Sequence, residues 1–234
     1  MAGIIQTIKQ LRSEGIEGYF AIKYAEFAKE TPAMREAYVS VAKQVATVIS
    51  EGVLLEVGPG PAFISIEIAR LIPHAQIIGL DISETMIGIA RRNVVEADLS
   101  AQIIFRQGDA AKMPFDDETF DFVVSSGSLH HWSKPVQVFD EIYRVLKPGR
   151  LALISDVRQD APKEKVDEFS RHIKSCFMRW GLRHSVHEAY TQKGIEELLG
   201  QTRFEKAKRI ELGDLDMPIW LQRPAVRGIV ERKK

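Results

Sequence analysis

Between Val53 and Asp156 the chain alternates short apolar runs with amphipathic ones, and this alternation leaves few folds open. Strand-like runs stand at Val53–Val57, Gln76–Leu80, Ala101–Arg106, Phe120–Ser125 and Arg150–Asp156. Helix-period patterns separate them at Phe63–Leu71, Glu84–Glu96 and Val136–Leu146. Repetition of this kind puts helices on both faces of a parallel sheet. Two later runs, Phe204–Leu212 and Met217–Leu221, are joined only by Gly213-Asp214-Leu215-Asp216. A parallel crossover needs a dozen residues or more, so these two must be antiparallel neighbours. The expected architecture is α/β: a doubly wound, mostly parallel sheet of seven strands with an antiparallel last strand.

The flanking segments read differently. Residues 1–50 have helical character, with Ile4, Ile5, Ile8 and Leu11 on one stripe. A second helix is signalled by Thr31 as a cap and Pro32 in the first turn, running through Met34, Tyr38, Val41, Val45 and Val48 until Gly52 stops it. After Asp156 the reading is one polar helix over Pro162–Trp180, an irregular stretch over Gly181–Tyr190, and a short helix capped by Thr191 and ending at Gly200. The expected organisation is a helical cap (1–50), a main domain (51–222) with a lid-like segment (157–200), and a solvated basic tail (223–234).

Composition narrows function mainly by exclusion. The 234 residues carry a formal net charge of +0, so no global field draws the chain to nucleic acid or anionic lipid. A small-molecule partner is expected and a nucleic-acid partner is not. The single cysteine, Cys176, makes no intramolecular disulfide and reads as a helix-packing residue. No leader pattern and no run long enough for a membrane helix stand out, which points to a cytoplasmic protein. Nothing in the sequence speaks to oligomeric state.

Three stations along the alternating region carry chemistry. The first is the turn Glu56-Val57-Gly58-Pro59-Gly60-Pro61-Ala62-Phe63, between a strand and a helix. Gly58 and Gly60 permit a tight turn and close approach of a ligand to the backbone, and the helix N-terminus favours a negatively polarised group. A dinucleotide fingerprint would need a third glycine at position 63, which is Phe63. At the second station Asp81 ends the second strand, where such folds hold ribose hydroxyls; Asp81 or Ser83 also suits a helix cap. At the third, Gly108-Asp109-Ala110 follows the third strand, and Asp109 could accept from an exocyclic amino group or merely form a turn. Asp117, Glu118 and Asp121 read as a solvated loop and strand start.

Residues 53–156 resemble the class I S-adenosylmethionine-dependent methyltransferases, particularly the small-molecule enzymes of the ubiquinone/menaquinone-biosynthesis type. The resemblance rests on Leu54–Gly60, Gly79-Leu80-Asp81, Gly108-Asp109-Ala110, Phe120–Trp132 and Leu146–Arg150, in order and at the family's spacing. Ala62 departs from it, since the family often has a third glycine there. The resemblance implies a Rossmann-like methyltransferase fold and S-adenosylmethionine as cofactor, with S-adenosylhomocysteine as product. It implies that Glu56, Gly58, Pro59 and Gly60 contact the methionine portion and that Asp81 holds the ribose. Ile82 and Met86 would lie against the adenine, Asp109 and Ala110 at its amino group, and Ser126 and Gly127 at the cofactor's amino-acid end.

On this reading the methyl goes to a carbon, oxygen, nitrogen or sulfur acceptor. His131 and Tyr190 are the candidate catalytic residues, and Tyr24, His131 and Tyr190 the candidate substrate contacts. His130 and His131 both stand where a general base could act, and His130 reads more readily as a residue that caps or packs beside Trp132. His184, Ser185 and His187 read as surface polar residues, and no metal site is expected. A non-catalytic S-adenosylmethionine-binding protein and a nicotinamide-dependent oxidoreductase remain the alternatives.

Overall fold

A computed structural model describes residues 15–225. The stripe Ile4, Ile5, Ile8 and Leu11, and the tail beyond Ala225, lie outside the described residues. Seven strands form one sheet in the order β3-β2-β1-β4-β5-β7-β6. They are β1 (Glu51–Val57), β2 (His74–Asp81), β3 (Ile103–Gln107), β4 (Phe120–Ser126), β5 (Leu146–Val157), β6 (Arg209–Ile210) and β7 (Asp216–Gln222). β1 to β5 run parallel, and β7 pairs antiparallel with both β5 and β6. The strand order reverses between β1 and β4, and in open α/β sheets a crevice at the carboxyl ends of the strands opens at that point.

The helices are α1 (Gly18–Glu30), α2 (Pro32–Ala46), α3 (Phe63–Leu71), α4 (Glu84–Glu96), α5 (Pro135–Val145), α6 (Lys163–Arg171), α7 (Cys176–Glu188) and α8 (Gln192–Leu199). One core joins α5 and α8 to the sheet through Phe120, Val123, Phe139, Ile142, Ile195 and Leu199. The other joins α2, α3 and α4 through Leu54, Ile68, Ile77, Val94, Phe122 and Trp220. The inner strands are buried along most of their length because both faces are covered, which is why their apolar residues stand in short continuous runs rather than alternating ones. A smaller cluster, Ala21, Ala25, Met86 and Ile89, fixes α1 onto α4. Polar bonds fix the same contact: Ser83 Oγ donates to the Ile16 carbonyl at 2.8 Å and the Gly18 amide to Thr85 Oγ1 at 3.2 Å.

Several local expectations are corrected. The polar segment after β5 forms two helices, α6 and α7, and α7 extends through the stretch read as irregular as far as Glu188. Ser175 begins α7 by accepting from the Met178 amide at 3.3 Å. The run Phe204–Leu212 yields only the two-residue β6. Thr31 makes no side-chain cap and instead separates α1 from α2 with extended backbone. Gly52 does not end α2, which stops at Ala46; it lies within β1 at φ +110. β5 starts at Leu146, so Lys147-Pro148-Gly149 lies inside the strand, beside a register shift opposite Phe120/Phe122.

Cys176 is exposed at the start of α7 rather than packed. Asp121 is buried and paired to Lys147 at 2.8 Å and Arg150 at 3.2 Å, not solvated. Arg223, assigned to the solvated tail, is 3% exposed. It donates to the carbonyls of Tyr143, Arg144 and Leu146 and to Glu118 Oε1 at 2.6 Å.

Candidate active site

The crevice begins where β1 ends. Gly58 and Gly60 both adopt left-handed backbone, φ +69 and +51. At Gly58 a Cβ would strike Ser128 at 2.9 Å; at Gly60 it would meet nothing within 4 Å. The first glycine is needed for packing and the second leaves open space beside a turn, where a ligand can approach the main chain. Ala62, in the position of the family's usual third glycine, is also left-handed at φ 66 and fully buried.

The turns after successive strands are tied together. The Gly60 amide donates to Asp81 Oδ2 at 3.1 Å and the Gly58 amide to the Leu80 carbonyl at 2.9 Å. Asp81 Oδ1 accepts from the Ser83 amide at 2.9 Å, while Ser83 Oγ caps α4 by accepting from Met86 at 3.0 Å. Of the two residues read as a possible cap, Ser83 is the one that caps the helix. The Gly108 amide donates to the Asp81 carbonyl at 3.0 Å, and exposed Asp109 caps a short 3₁₀ turn by accepting from the Ala111 amide at 2.8 Å.

Burial decides the state of the acids. Glu56, 1% exposed, accepts from Ser65 Oγ on α3, and desolvation pushes its pKa up to about 8 against that hydrogen bond. The Asp81 charge nearby pushes the same way. Desolvation also raises Asp81, opposed by its backbone donors. Of the two residues expected at the adenine, Ile82 is exposed and Met86 is buried under α1. Of the remaining cofactor candidates, Pro59 is buried, Ala110 and Ser126 are half-buried and Gly127 is exposed.

Asp156, at the end of β5, organises the other side. Its carboxylate accepts from the His130 amide at 2.8 Å, the Val157 amide at 2.7 Å and His130 Nδ1 at 2.8 and 2.9 Å. The His130 and Asp156 side chains are 6% and 3% exposed. A carboxylate only accepts, so Nδ1 carries the hydrogen and Nε2 of the neutral ring keeps its lone pair. That Nε2 is enclosed and has no hydrogen-bond partner among the described residues. His130 does not pack on Trp132, which turns instead onto Phe139 at 5.4 Å.

His131 stacks obliquely on His130 at 4.0 Å between ring centres. It keeps an exposed edge although protein crowds the ring, and this desolvation, with repulsion from the adjoining His130 whenever that ring is protonated, pushes its pKa down to about 4. Tyr24 and Tyr190 are raised, first by burial and then by the Asp156 charge. Tyr24 also shares a hydrogen bond with Tyr38. Tyr24, His131 and Tyr190, expected from sequence as site residues, thus lie within electrostatic reach of Asp156, which the sequence reading did not single out. The signal was available: Asp156 ends its strand as Asp81 ends the second.

An aromatic series leads outward from this cluster. His184 lies near enough to lower His131, and it stacks on Trp180 at 5.2 Å, Trp180 on Phe177 at 6.1 Å and Phe177 on Phe20 at 5.4 Å. It joins α7 to α1. Among the described residues no His/Cys/Asp/Glu group could hold a metal, and no helix is long and apolar enough to cross a membrane. Two hollows of about 770 and 510 Å³ lie elsewhere, one beside α2 and one between α6 and α7.

Comparison with known proteins agrees with this geometry. Residues 55–154 match a methyltransferase domain family. A demethylmenaquinone methyltransferase of Listeria monocytogenes serotype 4a is 34% identical over 155 residues, 64% of this chain and 65% of that protein. The match therefore spans slightly less than two thirds of the relative's length. A solved structure from Methanococcus maripaludis, assigned to the S-adenosyl-L-methionine-dependent methyltransferases, superposes with a TM-score of 0.74 at 28% identity, covering 89% of this chain and 94% of that one. A methyltransferase from Aquifex aeolicus shares the fold at 18% identity and a TM-score of 0.66, covering 84% and 96%.

Proposed function

We propose, from a chain whose residues 55–154 match a methyltransferase domain family, that it moves a methyl group from S-adenosylmethionine to a small-molecule acceptor. The observation that carries the reading is the bond between the Gly60 amide and Asp81. It joins the open glycine turn to the ribose-side acid, so one cradle reaches both ends of a nucleoside cofactor. Glu56, Gly58, Pro59 and Gly60 would hold the methionine portion, Asp81 the ribose, and Ile82, Asp109 and Ala110 the base. Ser126 and Gly127 would line the amino-acid end. Met86 would act from behind, by positioning α4.

The cofactor supplies a methyl already bonded to a good leaving group, so the chain's own task is orientation, exclusion of water and removal of a proton. His130 is the residue best held for the last task. Asp156 fixes its tautomer and would stabilise the imidazolium formed when Nε2 takes a proton. His131, neutral at pH 7, and Tyr24 and Tyr190 would contact the acceptor. A proton acceptor built this way suits an acceptor that arrives protonated on oxygen, nitrogen or an acidic carbon. The series Phe20, Phe177, Trp180 and His184 suits one with a planar, apolar body, in keeping with the quinone named for the Listeria relative.

Segment 157–200 would be the lid and 15–50 the cap. The neutral net charge favours a small molecule over nucleic acid, and cysteine usage favours the cytoplasm. The test is calorimetry with S-adenosylmethionine, S-adenosylhomocysteine and NAD, followed by transfer of radiolabelled methyl to a library of phenols, quinols, amines and thiols. Cofactor binding with transfer to at least one class is the expected result. Binding without transfer to any would favour a non-catalytic binding protein, and NAD binding alone would overturn the reading.

A further inference from the structure

The hollow between α6 and α7, about 510 Å³, lies outside the cradle and the Asp156 cluster. Asp167, Ser170 and Arg171 line it from α6, and Cys176, Arg179, Trp180 and Arg183 from α7. These positions follow i, i+3, i+4 spacing on α6 and i, i+3, i+4, i+7 on α7, so each helix turns one continuous stripe toward the other. Three guanidiniums share this groove with a single carboxylate. Asp167 pairs with Arg183 at 3.0 Å. Arg171 donates only to the Asp167 carbonyl at 3.3 Å, and Arg179 has no polar partner among the described residues. Two positive charges are left uncompensated in a chain whose net charge is +0.

Two further features point to what would compensate them. Ser170 is 3% exposed, and its Oγ is enclosed without a hydrogen-bond partner among the described residues. A buried hydroxyl left unpaired is costly, so a ligand that accepts from it is favoured. The N-terminus of α7, a helix of 13 residues, opens at the same groove and adds the positive end of its dipole. Guanidinium forks match the oxygens of a tetrahedral anion bidentately, which a lone ammonium does not.

We propose that this groove is a binding site for a phosphate group, separate from the methyl-transfer site. Arg171 and Arg179 grip the phosphate from opposite helices and Ser170 donates the inner hydrogen bond. The phosphate belongs either to a soluble phosphate compound or to a phospholipid headgroup. Because Trp180 borders the groove and stacks on His184, an occupied groove holds α6 and α7 in one fixed relation beside the aromatic series.

The experiment is calorimetric titration of the full chain with inorganic phosphate at low ionic strength, with a flotation assay on phosphatidylcholine vesicles with and without phosphatidylglycerol. Wild type is expected to bind phosphate, with Arg179→Gln weakening it about tenfold or more and Ser170→Ala severalfold, as loss of a charge-assisted hydrogen bond requires. Ser170→Ala keeps a helix-favouring residue, so the proposal stays testable if the arginine variant is unstable. Phosphate binding without flotation assigns the site to soluble phosphates; flotation that needs phosphatidylglycerol and is lost in Arg179→Gln assigns it to a headgroup. Absence of both overturns the proposal. So does equal weakening by Arg91→Gln, a change far from the groove.

Discussion

At the scale of single residues, His130 and His131 are adjacent in sequence and opposite in circumstance. His130 is fixed by a carboxylate through both its amide and its ring, while His131 has no such partner and is pushed toward the neutral form. With an acceptor that arrives protonated, Asp156→Asn is expected to lower the turnover rate on the order of 10²-fold, leave S-adenosylmethionine affinity within about twofold, and change the pH profile of the rate. His131→Ala is expected to act mainly on acceptor KM. Equal losses from both changes, with no altered pH profile, would count against His130 as the proton acceptor. Glu56 makes a second residue-scale case. Its pKa near 8 keeps it largely protonated at pH 7, and a cationic ammonium placed beside it would ionise it. Cofactor binding is therefore expected to release a proton, seen as a binding enthalpy that varies with the ionisation enthalpy of the buffer, and Glu56→Gln should abolish that variation.

Elements show why sequence served the site unevenly. The glycine turn, Asp81 and Asp109 were legible because each follows a strand whose apolar run is unambiguous, and a position at the end of such a strand already implies a place in the crevice. Asp156 was missed although it ends an equally clear strand, because its importance lies in a partner 26 residues earlier that no local pattern connects to it. The two lid helices were misjudged for a different reason. The sides they turn toward each other carry arginine, serine and cysteine, and α7 buries no residue, so the 3.6-residue period has little hydrophobic signal to ride on. Arg223 shows the opposite failure: it stands in a basic segment, yet its guanidinium closes the carbonyls at the end of α5 and rests on the Tyr143 ring at 5.0 Å. Arg223→Ala is expected to lower stability by about 2–4 kcal/mol, measured by urea denaturation, because it leaves those acceptors buried and unpaired. A surface tail arginine would change it by less than about 0.5 kcal/mol.

The whole molecule integrates two of these groups in its response to pH. The Glu56 carboxyl is raised on folding, so the native state holds a proton that the unfolded chain releases between about pH 4.5 and 8, and stability from this group falls as pH rises through that window. His131 is lowered from 6.5 to about 4, so the unfolded chain binds the extra proton and its contribution rises with pH over that interval. The two oppose each other below about pH 6.5 and only Glu56 acts above it. The melting temperature of the cofactor-free protein is therefore expected to fall between pH 6.5 and 8, and Glu56→Gln should flatten that fall. The architecture also bears on how the chain comes into being. β7, buried along five consecutive residues, is the last strand in the sequence but lies between β5 and β6, so β5 keeps an unpaired, apolar border until residues 216–222 have been made. While the ribosome still holds that stretch, the sheet can be assembled only as far as β5, and a nascent chain halted before Asp216 would present an adhesive edge to its neighbours. Completion of the sheet thus waits on residues 216–222, however far the rest of the chain has already folded.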